Sequence, residues 1–227
     1  MQALSTISDT KDWSKIRVYS DLCMQSVRRA MSYLTAALTR LFFFPESVTF
    51  DQATAGSYLV VTESGKRLKY SKYDREVDDT PQRFDMFGSV LGRNSLTSGK
   101  SYWEVEVGNK TGWDLGITRG DANRKGKLSL NPDNGYWVTV HYEEEKFAAL
   151  TTPPIRLSLE EKPEKVGVFV DYEEGIVSFY NVTAQSHIYS FTDCLFRDEL
   201  FPYLSPHVKQ DDKNGNPLII SAVKQCA

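Results

Sequence analysis

Cysteine is scarce in this 227-residue chain, where Cys23, Cys194 and Cys226 lie far apart and form no CxxC pair. An odd, sparse count argues against a disulfide framework and against a structural zinc site. No basic-then-apolar leader opens the chain, and no run reaches the roughly 18 apolar residues that a membrane span requires. These absences predict a cytoplasmic protein that has no membrane span.

Motifs for catalysis are also missing. Neither GxGxxG nor GxxxxGKS occurs, and the histidines show no HxxxH or HExxH spacing. A nucleophile pair of Cys194 and His207 is conceivable, because neighbours in space need not be neighbours in sequence. No motif surrounds Cys194, however, so we expect an ordinary structural cysteine. The sequence therefore predicts no catalytic residue, no metal site and no cofactor in this fragment.

Basic charge is concentrated at the start of the chain. Residues 1–40 carry six basic and three acidic side chains, a net charge of +3, whereas the remaining 187 residues have a net charge of −6. An acidic domain of this kind lacks the positive surface that binds a phosphate backbone. We expect no nucleic-acid partner.

An amphipathic helix is predicted for residues 21–44, after a linker at residues 1–20 that shows no periodicity. The helix begins at the Ser20-Asp21 cap and ends before Pro45. Its apolar residues recur at spacings of three and four, as in a coiled-coil seam: Met24, Val27, Met31, Leu34, Leu38 and Leu41. So short a seam is marginal alone, so it either packs on the domain behind it or pairs with a second chain.

After Pro45 the apolar period changes from helical to two. Apolar and acidic side chains alternate along Tyr102–Gly108, so Glu104 and Glu106 share a face that we expect to be solvated. Val166–Val182 predicts a hairpin with an acidic tip. Strand-like runs recur every 8–15 residues with no convincing helix between Val48 and Val223. This pattern predicts an all-β fold, a two-sheet antiparallel sandwich behind an N-terminal α-helix.

Several motifs then follow one another in a fixed order. They are SGKSYWEVEV at residues 98–107, WDLGI at 113–117, NGYW at 134–137, VGVFVDYE at 166–173 and FPYLSP at 201–206. They closely resemble the SPRY part of a PRY-SPRY domain. Val48–Ala55 resembles the PRY opening, although the family usually has Leu-Asp-Pro where this chain has Phe50-Asp51-Gln52. The resemblance covers residues 46–224, which we take as the domain.

Residues 1–45 resemble the end of the coiled coil and the linker that precede this domain in tripartite-motif (TRIM) ubiquitin ligases, and Thr10–Ser14 resembles fish members. The resemblance implies an upstream RING and B-box, which bind zinc, and a longer coiled coil, none of which this sequence contains. From the seam at residues 21–44 we expect a homodimer formed through the helix. Ligase activity would belong to the RING, and this domain would select the target protein, in innate immunity or protein turnover.

The resemblance also implies a protein-binding site among the loops at one end of the sandwich. Its positions here are Asp114, Val140, Tyr142 and Val208. The acidic tip Glu143, Glu144 and Glu145 lies between two strand-like runs, where it would favour a basic ligand edge. Sandwiches also bind sugars, and Tyr142 beside Asp114 could imitate a sugar platform, so a carbohydrate-binding domain is the alternative function.

Overall fold

Two seven-stranded antiparallel sheets make up the structure, a computed structural model that describes residue 27 and residues 47–143, 146–207 and 215–223. Sheet A contains β2 (Leu59–Thr62), β3 (Arg67–Tyr70), β5 (Lys100–Glu106), β10 (Lys165–Asp171), β11 (Ile176–Asn181), β12 (Ser186–Phe191) and β14 (Leu218–Ser221). Sheet B contains β1 (Phe50–Asp51), β4 (Val90–Gly92), β6 (Trp113–Arg119), β7 (Tyr136–Tyr142), β8 (Lys146–Ala149), β9 (Ile155–Leu157) and β13 (Leu200–Ser205). A short 3-10 helix, Pro132–Asn134, precedes β7.

The strand order is β12-β11-β10-β5-β14-β3-β2 in sheet A and β1-β4-β13-β6-β7-β8-β9 in sheet B. The prediction of an all-β, two-sheet antiparallel sandwich is confirmed, as is the hairpin of β10 and β11. The linker at 1–20 and the helix at 21–44 lie outside the described residues, apart from Val27, which is helical and 51% exposed.

The main core lies between the sheets and is built by alternation along each strand. Trp103 and Val105 of β5 point into it from sheet A, while Trp113, Leu115 and Ile117 of β6 point into it from sheet B. All five side chains are at most 2% exposed. Full burial of one such side chain contributes about 1.5–3 kcal/mol, so this layer supplies much of the stability.

Sheet B is buried on its outer face as well. A second cluster there contains Phe84, Leu91, Tyr136, Val138 and Tyr203. Tyr203 packs edge to face against Phe84 at 5.8 Å and against Tyr136 at 5.4 Å between ring centroids. The strands β4, β7 and β13 are therefore covered on both sides, which makes this part of the sheet a rigid platform.

Sheet A carries a smaller buried aromatic cluster on its outer face, formed by Tyr102, Phe169 and Tyr180. Glu104 lies beside this cluster and is 1% exposed, so the expectation that it would be solvated is wrong. Its Oε1 accepts from the Tyr102 hydroxyl at 3.1 Å, and Nζ of Lys165 lies 3.4 Å from its Oε2. Glu106, on the same face one row further along, keeps a side chain that is 45% exposed.

The edge of sheet A at β2 is sealed by the side chain of Gln52. Its Nε2 donates to the Leu59 carbonyl at 3.4 Å, and its Oε1 accepts from the Val61 amide at 2.8 Å. An exposed edge strand presents unpaired amides and carbonyls that can pair with another chain. Gln52 occupies two of these groups, a role that the proline of the usual family pattern could not fill because it has no side-chain amide.

Replacing Gln52 with Ala should lower the free energy of unfolding by about 1–2 kcal/mol, because two hydrogen bonds at a partly buried edge are lost. Urea denaturation followed by tryptophan fluorescence measures this change. Gln82→Ala is the matched control, since the Gln82 side chain is exposed and should be neutral. Equal stability of the Gln52 variant and the Gln82 variant would contradict the proposed role.

Candidate functional site

Three strands of sheet B bring the first predicted positions together. In the sheet register Asp114 of β6 pairs with Val140 of β7 on one side and with Ser205 of β13 on the other. Val140 in turn pairs with Ala148 of β8. These side chains lie on the outer face, because their neighbours along each strand point into the core. These paired residues form a row on the outer face of sheet B, next to the area that the second aromatic cluster covers.

Asp114 is held inside the structure instead of being offered to solvent. It is 5% exposed, and its Oδ1 lies 2.7 Å from Nε2 of His207. Burial lowers the pKa of His207, but the charge of Asp114 and its hydrogen bond raise it by more, so the net pKa lies above the ordinary value. The imidazole is charged and donates to the carboxylate over a wider pH range than a free histidine would.

The position of His207 depends on the residues on either side of it. Ser205 Oγ donates to the Gly88 carbonyl at 2.8 Å, which fixes the end of β13. His207 itself has a left-handed backbone with φ 52°. A Cβ atom at Gly112 would lie 2.5 Å from His207 Nδ1, so only glycine there leaves room for the ring. His207 thus covers Asp114, and the surface that a partner would meet at this point is the imidazole.

Tyr142 is half-buried at the end of β7, two residues beyond Val140 on the same face. Between them His141 points inward, where it is fully buried and stacks on Phe147 at 4.3 Å. The inward ring anchors the strand end and leaves Tyr142 pointing outward beside Lys146. We name Val140, Tyr142 and His207, with Asp114 beneath, the loop-end site.

The acidic tip is described only in part. Glu143 is exposed, has a left-handed backbone with φ 49° and forms an ion pair with Lys146. Glu144 and Glu145 lie outside the described residues, and so does Val208. The hairpin of β7 and β8 that was expected to carry this tip is present.

A group of large side chains between residues 58 and 86, which we name the tyrosine patch, was missed by the sequence analysis. Tyr73 and Met86 are 75% and 72% exposed, and Tyr58 stacks on Tyr70 with ring centroids 5.7 Å apart. Tyr70 lies beside Gly88, since a Cβ atom there would be 4.0 Å from its Cε2. Gly88 is also the residue whose carbonyl accepts from Ser205, the register partner of Asp114, so Tyr70 and the Asp114 end of the loop-end site both border the Gly88 loop.

Exposed aromatic side chains of this kind are typical of protein-binding surfaces, because they bury much area for little loss of entropy. The sequence did contain a hint of the patch. Tyr73 stands in the polar run Ser71-Lys72-Tyr73-Asp74-Arg75, where no strand pattern explains a large ring. That Tyr70 borders the Gly88 loop could not be predicted, since it depends on the packing of this loop against β13.

The described residues provide little for catalysis. In residues 47–143, 146–207 and 215–223, no group of three or more His, Cys, Asp or Glu side chains could hold a metal ion. Burial, with a smaller contribution from the charge of Asp193, raises the pKa of the Cys194 thiol to about 12. A thiol of that pKa stays protonated at neutral pH and is a poor nucleophile. Within the same residues, no helix is long and apolar enough to cross a membrane.

The ion pair of His207 and Asp114 should make stability depend on pH. The pKa of His207 is higher in the folded than in the unfolded state. The ion pair therefore contributes its full stabilisation below the unfolded pKa of about 6.5, and this stabilisation is lost as pH rises through the folded pKa. The melting temperature of wild type should therefore exceed that of His207→Ala by more at pH 6 than at pH 9. In an Asp114→Asn background, the difference in melting temperature between His207 and its Ala variant should be the same at pH 6 and pH 9. If this difference is already the same at both pH values in the presence of Asp114, the ion pair is contradicted.

Comparison with family models places two matches on this fold. The SPRY domain model matches residues 100–215, and the PRY model, described as the SPRY-associated domain, matches residues 48–96. Among solved structures the chain is similar to that of stonustoxin, with a TM-score of 0.69, 23% identity and coverage of 80% of this chain and 29% of that one. It is also similar to the TRIM65 PSpry domain, with a TM-score of 0.66, 21% identity and coverage of 78% and 90%. These likenesses support the fold.

Curated relatives are similar over most of this chain. Human pyrin is 45% identical over 177 residues, which are 78% of this chain and 23% of pyrin. The E3 ubiquitin-protein ligase TRIM21 of Bos taurus is 38% identical, over 78% of this chain and 38% of TRIM21. The erythroid membrane-associated protein of Mus musculus is 41% identical, over 86% and 34%. The chain thus spans well under half the length of these relatives.

The family follows from the extent of these matches. The SPRY model alone covers half of the chain, and the PRY model precedes it in the same order as the motifs of the sequence. A SPRY domain is a binding module and not a catalytic one. The resemblance that the sequence predicted is confirmed: the chain belongs to the SPRY domain family, in its PRY-SPRY form.

Proposed function

We propose that this PRY-SPRY domain recognises a target protein for a RING-type ubiquitin-protein ligase of the TRIM class. The observation that carries the proposal is the set of exposed and half-buried aromatic side chains in the tyrosine patch and at Tyr142 of the loop-end site. The loop-end site adds a polar group, His207, on a platform that is buried on both faces. The likeness to TRIM21, which is named an E3 ubiquitin-protein ligase, supports the ligase part of the proposal. The parent chain would act in the cytoplasm, in innate immunity or protein turnover.

The character of the partner is suggested by the side chains that it would meet. Tyr58, Tyr73, Tyr142 and Met86 offer apolar area, and His207 offers an imidazole whose pKa is raised by Asp114. A protein with an apolar anchor residue and a nearby acceptor suits this surface. The acidic tip would act at longer range, where it would favour a basic edge on the partner and raise the association rate.

The carbohydrate-binding alternative receives less support from the same site. A sugar platform needs a free polar side chain beside an exposed ring. Asp114, the group that would have played this part, is buried and bonded to His207. The Asp114 carboxylate is therefore not exposed beside the Tyr142 ring, where a sugar would need it. We therefore favour protein recognition.

Tyr142→Ala should weaken binding of a captured partner by about 2 kcal/mol, near thirtyfold, if Tyr142 is a hot spot. The partner would be found by proximity labelling in cells, and its affinity would be measured by surface plasmon resonance. Leu195→Ala is the control, because Leu195 is 77% exposed but lies beside sheet A and not at the loop-end site. The residue before it, Cys194, donates its amide to the Gly175 carbonyl at the β10–β11 turn. Unchanged affinity of the Tyr142 variant would place the binding surface elsewhere.

Tyr73→Ala tests whether the tyrosine patch belongs to the same surface. Because Tyr73 is 75% exposed, its removal should leave the melting temperature unchanged while it weakens binding by at least about 1 kcal/mol. Calorimetric melting and the same affinity measurement separate the two effects. A variant that loses stability but not affinity would show that Tyr73 is structural and that the patch does not take part in binding.

A further inference from the structure

A polar cavity opens at the end of sheet B that is opposite the loop-end site. It has a volume of about 340 Å³ and lies between the end of β6 at Arg119 and the beginning of β7 at Tyr136. Asp114 of the loop-end site is roughly 17 Å from Arg119 along β6, at about 3.4 Å per residue. The cavity is therefore a separate site, and its volume is within the range of about 300–1,000 Å³ that is usual for small-molecule pockets.

The walls of the cavity belong to the loop between β6 and β7, which hydrogen bonds hold in one shape. Arg124 donates through Nη2 to the Gly120 carbonyl at 2.8 Å and through Nη1 to the Gln82 carbonyl at 3.1 Å. The Tyr136 hydroxyl donates to the Asn123 carbonyl at 2.6 Å. A ligand would meet a cavity that is already formed, so binding would not bear the cost of ordering the loop.

The inner wall of the cavity is apolar. Tyr136 and Ala122 belong to the buried cluster on the outer face of sheet B, and Leu128 packs against that cluster half-buried. The volume equals that of roughly eleven water molecules at about 30 Å³ each, which limits a ligand to about ten non-hydrogen atoms. The cavity thus suits a small molecule with a short aliphatic part, and it is too small for a peptide of several residues.

Four charged side chains line the cavity, two of each sign: Arg119, Lys127, Asp121 and Asp133. Arg119 and Asp121 neutralise each other in an ion pair, with 2.8 Å between Nε and Oδ1. Lys127 and Asp133 are exposed. In the described part of the chain Lys127 forms no ion pair, and Asp133 accepts at 3.1 Å from the Thr152 hydroxyl and not from a cation. One positive and one negative group are therefore left to meet a ligand.

This balance of charge selects the ligand. An anion would be repelled by Asp133 and a cation by Lys127, whereas a molecule that carries both charges is attracted by both. The other basic residues of the loop do not change the balance. Arg124 is bonded to two carbonyl groups, and Lys125 pairs with Asp79, outside the cavity.

We propose that this cavity binds a free α-amino acid with a short aliphatic side chain, such as leucine. Its carboxylate lies towards Lys127 and the terminal N–H groups of Arg119, and its ammonium group lies towards Asp133. Its side chain lies on Tyr136 and Leu128. The domain then carries a small-molecule site at the end of sheet B that protein recognition does not use, so neither proposal depends on the other.

Blocked analogues of leucine test the requirement for both charges. The full chain, labelled with ¹⁵N, would be titrated by NMR with leucine, with leucinamide, which lacks the carboxylate, and with N-acetyl-leucine, which lacks the ammonium group. Leucine should shift the amide signals of Leu128, Asn134 and Tyr136 with a dissociation constant of about 1 mM, and each analogue should bind at least about tenfold more weakly. Shifts confined to other residues, no shift at about 20 mM leucine, or an analogue that binds as well as leucine would overturn the proposal.

Two variants assign the charges separately. Lys127→Gln should weaken leucine about tenfold without weakening leucinamide, which has no carboxylate to lose a partner. Asp133→Asn should weaken leucine similarly without weakening N-acetyl-leucine. Lys162→Gln is the control, because it removes the same charge from an exposed residue outside the cavity and should bind leucine as wild type does.

Melting temperature separates recognition from folding in these variants. All three substitutions are at exposed positions and should leave it unchanged. If Lys127→Gln and Asp133→Asn bind leucine as wild type does, or if either weakens all three ligands equally, the charges do not recognise the ligand and the proposal is wrong.

Discussion

The outer face of sheet B depends on the close approach of β6 and β7 at Gly116. Gly116 of β6 lies between Val138 and Tyr203 in the register, and a Cβ atom there would be 2.0 Å from the Trp137 carbonyl oxygen. The glycine therefore allows β6 and β7 to approach closely. On the neighbouring strand the ring of Tyr203 packs against Tyr136 of β7. Its hydroxyl, 2.7 Å from Ser89 Oγ, ties the sheet to the Gly88 loop. The outer face is thereby covered by aromatic rings at its centre, and the row of Asp114 and Val140 lies beyond them.

The alternation of the sequence was sufficient to assign the faces of these strands. Trp113 and Leu115 point inward, so Asp114 between them points outward. What could not be predicted is the neighbour that each outward side chain meets. His207 is 93 residues away from Asp114, and it reaches the carboxylate only because β13 pairs with β6 and Gly112 leaves space for the ring. The alternation therefore indicates that Asp114 faces outward, but it gives no sign of the ion pair with His207.

Glu104 and Glu106 are a second case in which the sequence does not predict the neighbours of a side chain. Both obey the period of two and share a face, and from the sequence they are equivalent. They differ because Gly167, opposite Glu104, has no side chain, and a Cβ atom there would lie 2.4 Å from the Tyr102 hydroxyl oxygen. The gap lets this hydroxyl reach Glu104 and donate to it, and such a bond is what makes a buried carboxylate tolerable. A glycine on the neighbouring strand thus decides the environment of a glutamate, and no local pattern reports it.

The two outer faces of the sandwich point in opposite directions, about 10 Å of packed core lying between the sheets. The loop-end site lies on sheet B, where Ser205 beside Asp114 bonds the Gly88 loop, whereas the aromatic cluster with Glu104 lies on sheet A. The buried aromatic cluster with Glu104 and the loop-end site are therefore on opposite faces of one rigid body, and side chains at the loop-end site could change without any change around Glu104.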